Sequence, residues 1–289
     1  MGGRQPPLGL LGGDREVTFV RVVAALVGLL LTLSACSGDP KQPPQRPTTT
    51  ASPSPTKPPV PPSPAAAACY RLAFKEAISP ISHSEPVACA KRHTSRTFHV
   101  GRLSRLFPAG VPAIDVPRVQ QKVGAECTRR LTAFVGGSPA ARLLSMLRPV
   151  WFTPTLAEAD AGAAWFRCDV VALGAENQLA PLTGRLAKRL DRPGWQQTYG
   201  LCATAQPGTK NFHRVSCARK HSWVALSTVP LTGGRYPGVA AVRARGEDVC
   251  KPAARDLAAD KLDYQWGYEW PTLAQWRAGT RNGVCWLPR

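Results

Sequence analysis

The sequence is poor in acidic residues and in long apolar runs. Its 289 residues include 18 Asp and Glu against 37 Lys and Arg, and the formal net charge is +19. Only one stretch is continuously apolar, which excludes a protein with several spanning helices, since each needs about 20 apolar residues. Apolar side chains still make up 44% of the chain. That content is enough for one or two folded domains and excludes disorder throughout.

Common catalytic motifs are also missing. The sequence contains neither the Gly-x-Ser-x-Gly of serine hydrolases nor the His-Glu-x-x-His of zinc peptidases. These absences argue against two large classes of hydrolase. We therefore predict a protein that is not an enzyme and that needs no metal or cofactor, with a cell-wall hydrolase as the alternative.

The N-terminal part resembles the export signal of a lipoprotein. The apolar run Val22 to Leu33 follows Arg21 and has the length of a signal-peptide core. It ends in Leu33-Ser34-Ala35-Cys36, which resembles a bacterial lipobox. The resemblance implies a signal peptide over residues 1–35 and a lipid, palmitate included, on Cys36. Such a protein is exported and anchored to the outer face of the cell membrane without spanning it; the alternatives are an ordinary signal peptide or a short uncleaved anchor.

A proline-rich segment follows the proposed lipid. Residues 37–64 contain eleven Pro, many Ser and Thr, and almost no apolar bulk. Such a composition cannot bury enough surface to become ordered, and it favours the polyproline II conformation. We interpret residues 36–68 as the lipidated cysteine followed by a disordered linker, in which the 28 residues 37–64 alone reach up to roughly 90 Å.

The rest of the chain contains an internal repeat. The segment Val87–His93 matches Val215–His221, and both follow the pattern V-x-C-A-basic-basic-H. Further on, Pro154–Ala157 matches Pro271–Ala274, and in both places a cysteine lies 14 residues after the proline. We infer a tandem duplication, with the first repeat over residues 69–190 and the second over residues 191–289.

Eight cysteines remain once Cys36 is set aside, and an even number in an exported chain indicates disulfide bonds. They divide equally between the repeats: Cys69, Cys89, Cys127 and Cys168, then Cys202, Cys217, Cys250 and Cys285. Four cysteines allow three pairings in each repeat. We favour first with second and third with fourth, a pairing that joins the main helix of each repeat to its last strand.

Periodicity within the repeats predicts an α+β fold. Apolar residues at i, i+4 spacing predict an amphipathic helix that starts after Pro117 and ends at Gly136. A second helix is predicted over residues 239–257, where Pro252 should break or kink it. The alternation of aromatic residues from Tyr264 to Trp270 predicts a strand.

Further strands are predicted near both ends of each repeat, at residues 98–103, 165–173, 223–231 and 284–287. Pro149 lies in another predicted strand and indicates an edge strand or a bulge, because proline cannot donate a ladder hydrogen bond. We therefore predict two tandem, small, disulfide-stapled domains, each with a few antiparallel strands and one main helix.

These motifs resemble the actinobacterial septum-formation domain family. The second repeat carries the fuller pattern: Cys202, Cys217, His221, Tyr236-Pro237-Gly238, Cys250, Pro271-Thr272, Trp276, Gly279 and Cys285. The first repeat keeps part of it: Cys69, Cys89, His93, Cys127, Pro154-Thr155, Gly162 and Cys168. It has Phe107-Pro108 in place of Tyr-Pro-Gly and Ala159 in place of the tryptophan. The resemblance implies a role in the cell envelope around division septa, and it carries over no catalytic residue.

Two sets of side chains are candidate sites. His93 and His221 each follow a cysteine by four residues, and we expect each imidazole to cap or hydrogen-bond next to a disulfide rather than to bind zinc. The second set is aromatic: Trp266, Tyr268, Trp270 and Trp276. We expect these rings to pack in the core, with a sugar-binding groove as the alternative if one face is exposed.

Charge indicates the class of partner. Residues 69–289 carry 31 Lys and Arg against 15 Asp and Glu. Nucleic acid is the usual partner of such a surface, but export argues against it. Anionic lipid headgroups and acidic wall polymers are the counter-charges available outside the cell, and a genomic bias towards arginine is the alternative explanation.

We therefore predict an envelope lipoprotein that acts as a non-catalytic binding or scaffolding module, with a role in septum formation and cell division. Its expected partners are the membrane through the lipid on Cys36, and envelope or division proteins or an anionic wall polymer. The alternative is a ligand-binding or sensor lipoprotein for an anionic wall polymer or a glycan.

Overall fold

The computed structural model describes residues 59–289. The predicted signal peptide, the lipidation of Cys36 and most of the proline-rich linker lie outside these residues and remain predictions. In the described part of the chain, no helix combines the length and the apolar character needed to cross a membrane.

Residues 59–289 form two antiparallel sheets of five strands each. The first half contains strands β1 (Cys69–Tyr70), β2 (Ser95–Arg102), β3 (Leu147–Phe152), β4 (Trp165–Ala175) and β5 (Gln178–Ala180). The second half contains strands β6 (Leu201–Ala203), β7 (Arg214–Ser216), β8 (Trp223–Pro230), β9 (Gly267–Glu269) and β10 (Asn282–Pro288). The first sheet has the order β1-β2-β4-β3, with β5 also paired to β4, and the second has the order β7-β6-β8-β10-β9.

Two long helices and six short ones accompany the sheets in the described residues. The helices are α1 (Phe74–Ala77), α2 (Leu103–Leu106), α3 (Pro117–Val135), α4 (Pro139–Leu143), α5 (Leu156–Asp160), α6 (Trp195–Tyr199), α7 (Val239–Leu257) and α8 (Leu273–Arg277). Together with four disulfide bonds, they confirm the predicted α+β fold with one main helix in each half.

Helix α3 follows the sequence prediction closely. It begins at Pro117, whose missing N–H is not needed in the first turn, and Gly136 at φ +73° ends it. Its buried stripe includes Val119, Val123 and Cys127. Periodic burial of one face is what the i, i+4 pattern encodes, and this explains why the prediction succeeded.

Helix α7 differs from its prediction at Pro252. The helix runs through this residue to Leu257, so of the predicted break or kink the break does not occur. Pro252 and Asp248 both lie on the exposed face of α7. The carbonyl of Asp248, which loses its usual helical donor, is therefore accessible to water, and the helix continues.

The predicted strands have counterparts, but one is shorter than expected. Strands β2, β4, β8 and β10 correspond to the predictions at both ends of each half, and Pro149 lies in β3, which is an edge strand. The aromatic segment forms only the three-residue strand β9, because β10 pairs with it only over Val284–Trp286.

The same order of elements occurs in both halves. The first half has the order α3, β3, α5, β4, and the second half has the corresponding order α7, β9, α8, β10. Trp151 pairs with Cys168 in the first sheet, and Tyr268 pairs with Cys285 in the second. This order agrees with the tandem duplication inferred from the sequence, which remains a prediction.

The halves pack directly on each other. The backbone N–H of Met146 donates to the carbonyl of Tyr199 at 2.6 Å, and that of Leu201 donates to the carbonyl of Leu144 at 2.8 Å. One buried cluster contains Met146 from the first half together with Leu201 and Trp286 from the second. Leu190, the last residue of the predicted first repeat, is buried in another cluster with Leu147, Trp195 and Tyr199, so residues on both sides of the predicted boundary share a core.

Candidate functional site

All eight cysteines of residues 59–289 hold the fold together. Cys69–Cys89 and Cys202–Cys217 tie the first strand of each half to a later loop, while Cys127–Cys168 and Cys250–Cys285 join the long helix to β4 or β10. This is the pairing favoured from the sequence. A sulfur in a disulfide offers neither a nucleophilic thiolate nor a metal ligand, so these eight residues are structural.

The two motif histidines make the same backbone contact. Nδ1 of His93 donates to the carbonyl of Lys91 at 2.8 Å, and Nδ1 of His221 donates to the carbonyl of Arg219 at 2.7 Å. A carbonyl can only accept, so Nδ1 carries the proton in both rings. Each ring therefore braces the loop that follows a disulfide, and no group of three His, Cys, Asp or Glu in the described residues is arranged to hold a metal ion.

The aromatic residues of the second half divide into core and periphery. Tyr268 and Trp276 are buried in the cluster beneath α7, whereas Trp266 and Trp270 are partly buried against it. The Tyr236 hydroxyl donates to the carbonyl of Pro271 at 3.1 Å, and its ring meets Trp276 edge to face. The Tyr-Pro-Gly and Pro-Thr motifs are thus in direct contact and mainly serve packing.

A glycine in each long helix admits the aromatic ring of the neighbouring edge strand. A Cβ placed on Gly124 would lie 2.8 Å from the Trp151 ring, and one placed on Gly246 would overlap the Tyr268 ring. Sequence reasoning missed both contacts, although each glycine precedes the helical cysteine by one turn and lies on the same buried face.

A cleft of about 510 Å³ opens where the two halves meet. Its apolar lining comes from both halves: Leu143, Met146, Leu173, Phe212 and Val284. Three arginines, Arg148, Arg214 and Arg281, also line it. Sequence reasoning missed this cleft, because its residues come from distant segments that only the packing of the two halves brings together.

One of these arginines is neutralised. Arg214 binds Glu269 through both carboxylate oxygens, with Nη2 at 2.8 Å from Oε2 and Nε at 3.2 Å from Oε1. Only 5% of the Glu269 surface is exposed. The pair joins β7 to β9, the two edge strands of the second sheet, so this sheet curls until its edges approach each other.

The other two arginines bind carbonyl groups. Nη1 of Arg148 donates to the carbonyls of Ser145 at 2.8 Å and Leu147 at 2.7 Å. Arg281 donates to the carbonyls of Trp276 and Thr280, and its guanidinium lies 4.0 Å from the centre of the Trp276 ring. In the described part of the chain neither arginine has a carboxylate partner. Burial and the nearby charge of Arg214 lower the pKa of Arg148 to about 10.

Comparison with protein families identifies the chain. A family model described as septum formation matches residues 66–285, which span both halves and all four disulfides. The chain belongs to the septum-formation family. Comparison with curated proteins and with solved structures finds no match.

The resemblance stated from the sequence is therefore confirmed. In this septum-formation protein the motif cysteines, histidines, Tyr236 and Trp276 hold loops, helices and strands together. The cleft arginines lie outside those motifs, with Arg281 two residues after Gly279. The motifs thus account for the fold, and the cleft has to be recognised from the structure.

Another buried charge belongs to the fold rather than to the cleft. Asp169 is fully buried and accepts hydrogen bonds from Ser95 and Thr97, both at 2.8 Å. Nε of Arg167 lies 3.2 Å from its Oδ1. Burial raises the pKa of Asp169 above its usual value, although Arg167 and the two hydroxyls oppose that shift.

Proposed function

We propose that this protein is a membrane-anchored, non-catalytic binding or scaffolding module of the cell envelope that acts in septum formation. Family membership over residues 66–285 supports the role in septum formation. The observation that carries the non-catalytic part is the structural use of the motif side chains. The eight cysteines are in disulfides and the two histidines hold backbone carbonyls.

The disulfide bonds support a compartment outside the cytosol. Four disulfides in one compact unit are typical of proteins that fold in an oxidising environment outside the cytosol. The lipobox-like sequence ending at Cys36 supports attachment to the outer face of the membrane. The excess of Lys and Arg supports partners of opposite charge, such as an acidic wall polymer or an acidic surface of a division protein.

The carboxylate of Glu158 has a structural role. Glu158 accepts from the backbone N–H of Thr155 at 2.7 Å, and the Thr155 hydroxyl accepts from the N–H of Glu158 at 3.2 Å. This capping box begins α5, and Thr272 and Gln275 make the same box at the start of α8. A glutamine in the matching position preserves the cap and has no acid function, which supports a structural use.

The experiment is fluorescence microscopy of dividing cells of the source organism. The full chain carries a C-terminal fluorescent protein that matures outside the cytosol, and the matched control is Cys36→Ala. We expect the parent to remain in the membrane fraction and to concentrate at septa, and the control to leave the membrane fraction. Uniform membrane fluorescence in dividing cells would contradict the septal role, and release of peptidoglycan fragments by the purified protein would contradict the non-catalytic role.

A second candidate function is ligand binding by the same lipoprotein. The cleft favours it, because it joins an apolar floor to two arginines that lack a carboxylate partner in the described residues.

A further inference from the structure

We infer that the cleft between the two halves binds an organic anion, namely a carboxylate or phosphate group carried on a small apolar body, and that Arg148 and Arg281 hold its charge. The inference rests on the second candidate function and names the ligand class. It is independent of septal localisation.

The size and lining of the cleft suit such a ligand. Its volume of about 510 Å³ falls within the range of about 300–1,000 Å³ typical of small-molecule sites. The apolar floor, which includes Met146, Leu173 and Phe212, would cover a hydrocarbon part. Polar side chains at the same cleft offer further hydrogen bonds: Asn177, Thr228, Thr280 and Asn282.

The charges in the cleft leave an excess of cations. Glu269 is occupied by a two-oxygen contact to Arg214. The other acid of the lining, Glu176, is on the exposed hairpin between β4 and β5, and His213 is also exposed. Two guanidinium groups therefore face the cleft without a carboxylate from the described residues, and a bound oxyanion would neutralise them.

Arg148 is held in place before any ligand arrives. Its Nη1 is fixed by the carbonyls of Ser145 and Leu147, so the planar guanidinium has a set orientation. A partly buried cation next to Arg214 is costly without a counter-charge, and the lowered pKa of Arg148 reflects that cost. The planar fork of a guanidinium matches the two oxygens of a carboxylate or a phosphate.

Arg281 is held in a similar way on the opposite half. Its guanidinium lies over the Trp276 ring, and backbone carbonyls fix its Nη1. Arg148 comes from the first half and Arg281 from the second. The site is therefore complete only when the halves are packed together, and ligand binding should stabilise that packing.

The test is isothermal titration calorimetry on the full chain in detergent. Benzoate and phenyl phosphate serve as probes, and benzamide is the neutral control of similar shape. We expect at least one anion to bind at least tenfold more tightly than benzamide. The tighter of the two anions shows whether the natural group is a carboxylate or a phosphate.

Substitutions locate the binding site. We expect Arg148→Gln and Arg281→Gln each to weaken binding at least tenfold, and Arg148→Lys to weaken it less. The matched control is Arg118→Gln, which removes the same charge from an exposed position on α3 outside the cleft and should leave binding unchanged. Thermal unfolding of each variant establishes that it is folded, and Arg148→Lys keeps the test informative if Arg148→Gln is not.

Two results would overturn the inference. One is a folded parent protein that binds neither anion at about 20 mM probe, a concentration roughly twentyfold above a Kd of 1 mM. The other is equal weakening by Arg118→Gln and the cleft variants, which would indicate attraction by overall charge. Septal localisation that survives Arg148→Gln would leave the first proposed function intact, so the two proposals can fail separately.

Discussion

At the scale of single residues, Tyr236 and Tyr268 of the second half differ in the use of their hydroxyl groups. The Tyr236 hydroxyl donates to the carbonyl of Pro271. The Tyr268 hydroxyl is buried and has no hydrogen-bond partner among the described residues. Burial raises the pKa of Tyr268 to about 12, and the nearby Tyr236 adds to the shift. The ring of Tyr268 therefore serves the core while its hydroxyl costs stability.

We expect Tyr268→Phe to leave the free energy of unfolding unchanged or to raise it by about 1 kcal/mol, because it removes an unsatisfied buried group. Tyr236→Phe is the matched control and should lose about 1 kcal/mol with its hydrogen bond. Urea unfolding measures both changes through the midpoint at constant slope. A loss of more than 1 kcal/mol in Tyr268→Phe would contradict the assignment.

The buried Arg167–Asp169 pair gives a second prediction at this scale. Arg167 packs 3.9 Å from the Tyr70 ring centre, and its Nη2 has no hydrogen-bond partner in the described residues. We expect Asp169→Ala to lower the free energy of unfolding by about 3–5 kcal/mol, because it leaves a buried guanidinium unpaired. Urea unfolding would show the change.

The control for this pair is a double variant with apolar side chains, as found at the matching positions of the second half. Val284 and Trp286 flank Cys285 where Arg167 and Asp169 flank Cys168, so the same frame accepts apolar side chains. The double variant Arg167→Met, Asp169→Leu should therefore recover part of the loss seen in Asp169→Ala. A double variant less stable than that single variant would show that the cost does not come from the unpaired charge.

At the scale of elements, each long helix and its edge strand meet through a glycine and an aromatic ring. We expect Gly246→Ala to destabilise the protein by about 1–3 kcal/mol through overpacking against Tyr268. Gly124→Ala should cost less, because its Cβ would be 2.8 Å from Trp151 and the overlap is smaller. The midpoints of thermal unfolding show which of the two variants is less stable.

The intrinsic preference of helices for alanine over glycine gives the expected effect of Gly246→Ala the opposite sign to that of an ordinary exposed site. In an exposed helical position, replacing glycine by alanine stabilises by about 1 kcal/mol. The reverse change at an exposed position of α7, Ala244→Gly, should therefore lower the free energy of unfolding by about 1 kcal/mol. It provides the reference with which the effect of Gly246→Ala is compared. Stabilisation by Gly246→Ala would contradict the close packing of Tyr268 on α7.

Helices and strands could be predicted where buried residues recur with a simple period. They were harder to predict where pairing with another strand determines their length. Helix α3 follows from its apolar spacing, and Pro149 lies in an edge strand as its missing donor requires. The length of β9 depends on how much of β10 is available to it, which no local pattern states. Pro252 remains in α7 because that face meets solvent, and a short sequence window does not report which face is exposed.

The cleft could not be predicted because the residues that line it are far apart in the sequence. Arg148, Arg214 and Arg281 are each separated from the next by more than sixty residues. In the sequence they are three arginines among many. Only the contact between the halves, made by segments such as Leu144–Met146 and Tyr199–Leu201, brings them to one opening.

At the scale of the whole molecule, the shared core predicts cooperative unfolding. Backbone hydrogen bonds join the halves, and Met146, Leu201 and Trp286 share one buried cluster. We therefore expect a single unfolding transition for the disulfide-bonded protein, with the same midpoint by far-ultraviolet and near-ultraviolet circular dichroism. Two separated transitions would show that the halves are independent domains.

The first disulfide has a mechanical consequence. Strand β1 contains only Cys69 and Tyr70, and it is the first strand of the described chain. A pull applied from the N-terminal side reaches the first sheet at Ala68, whose carbonyl accepts from the N–H of Thr97, and then at this short strand, whose few hydrogen bonds resist tension poorly. The Cys69–Cys89 bond diverts that force into a covalent loop. In the proposed lipid-anchored protein, tension from the anchor would pass through this bond and leave residues 70–88 outside the loaded path.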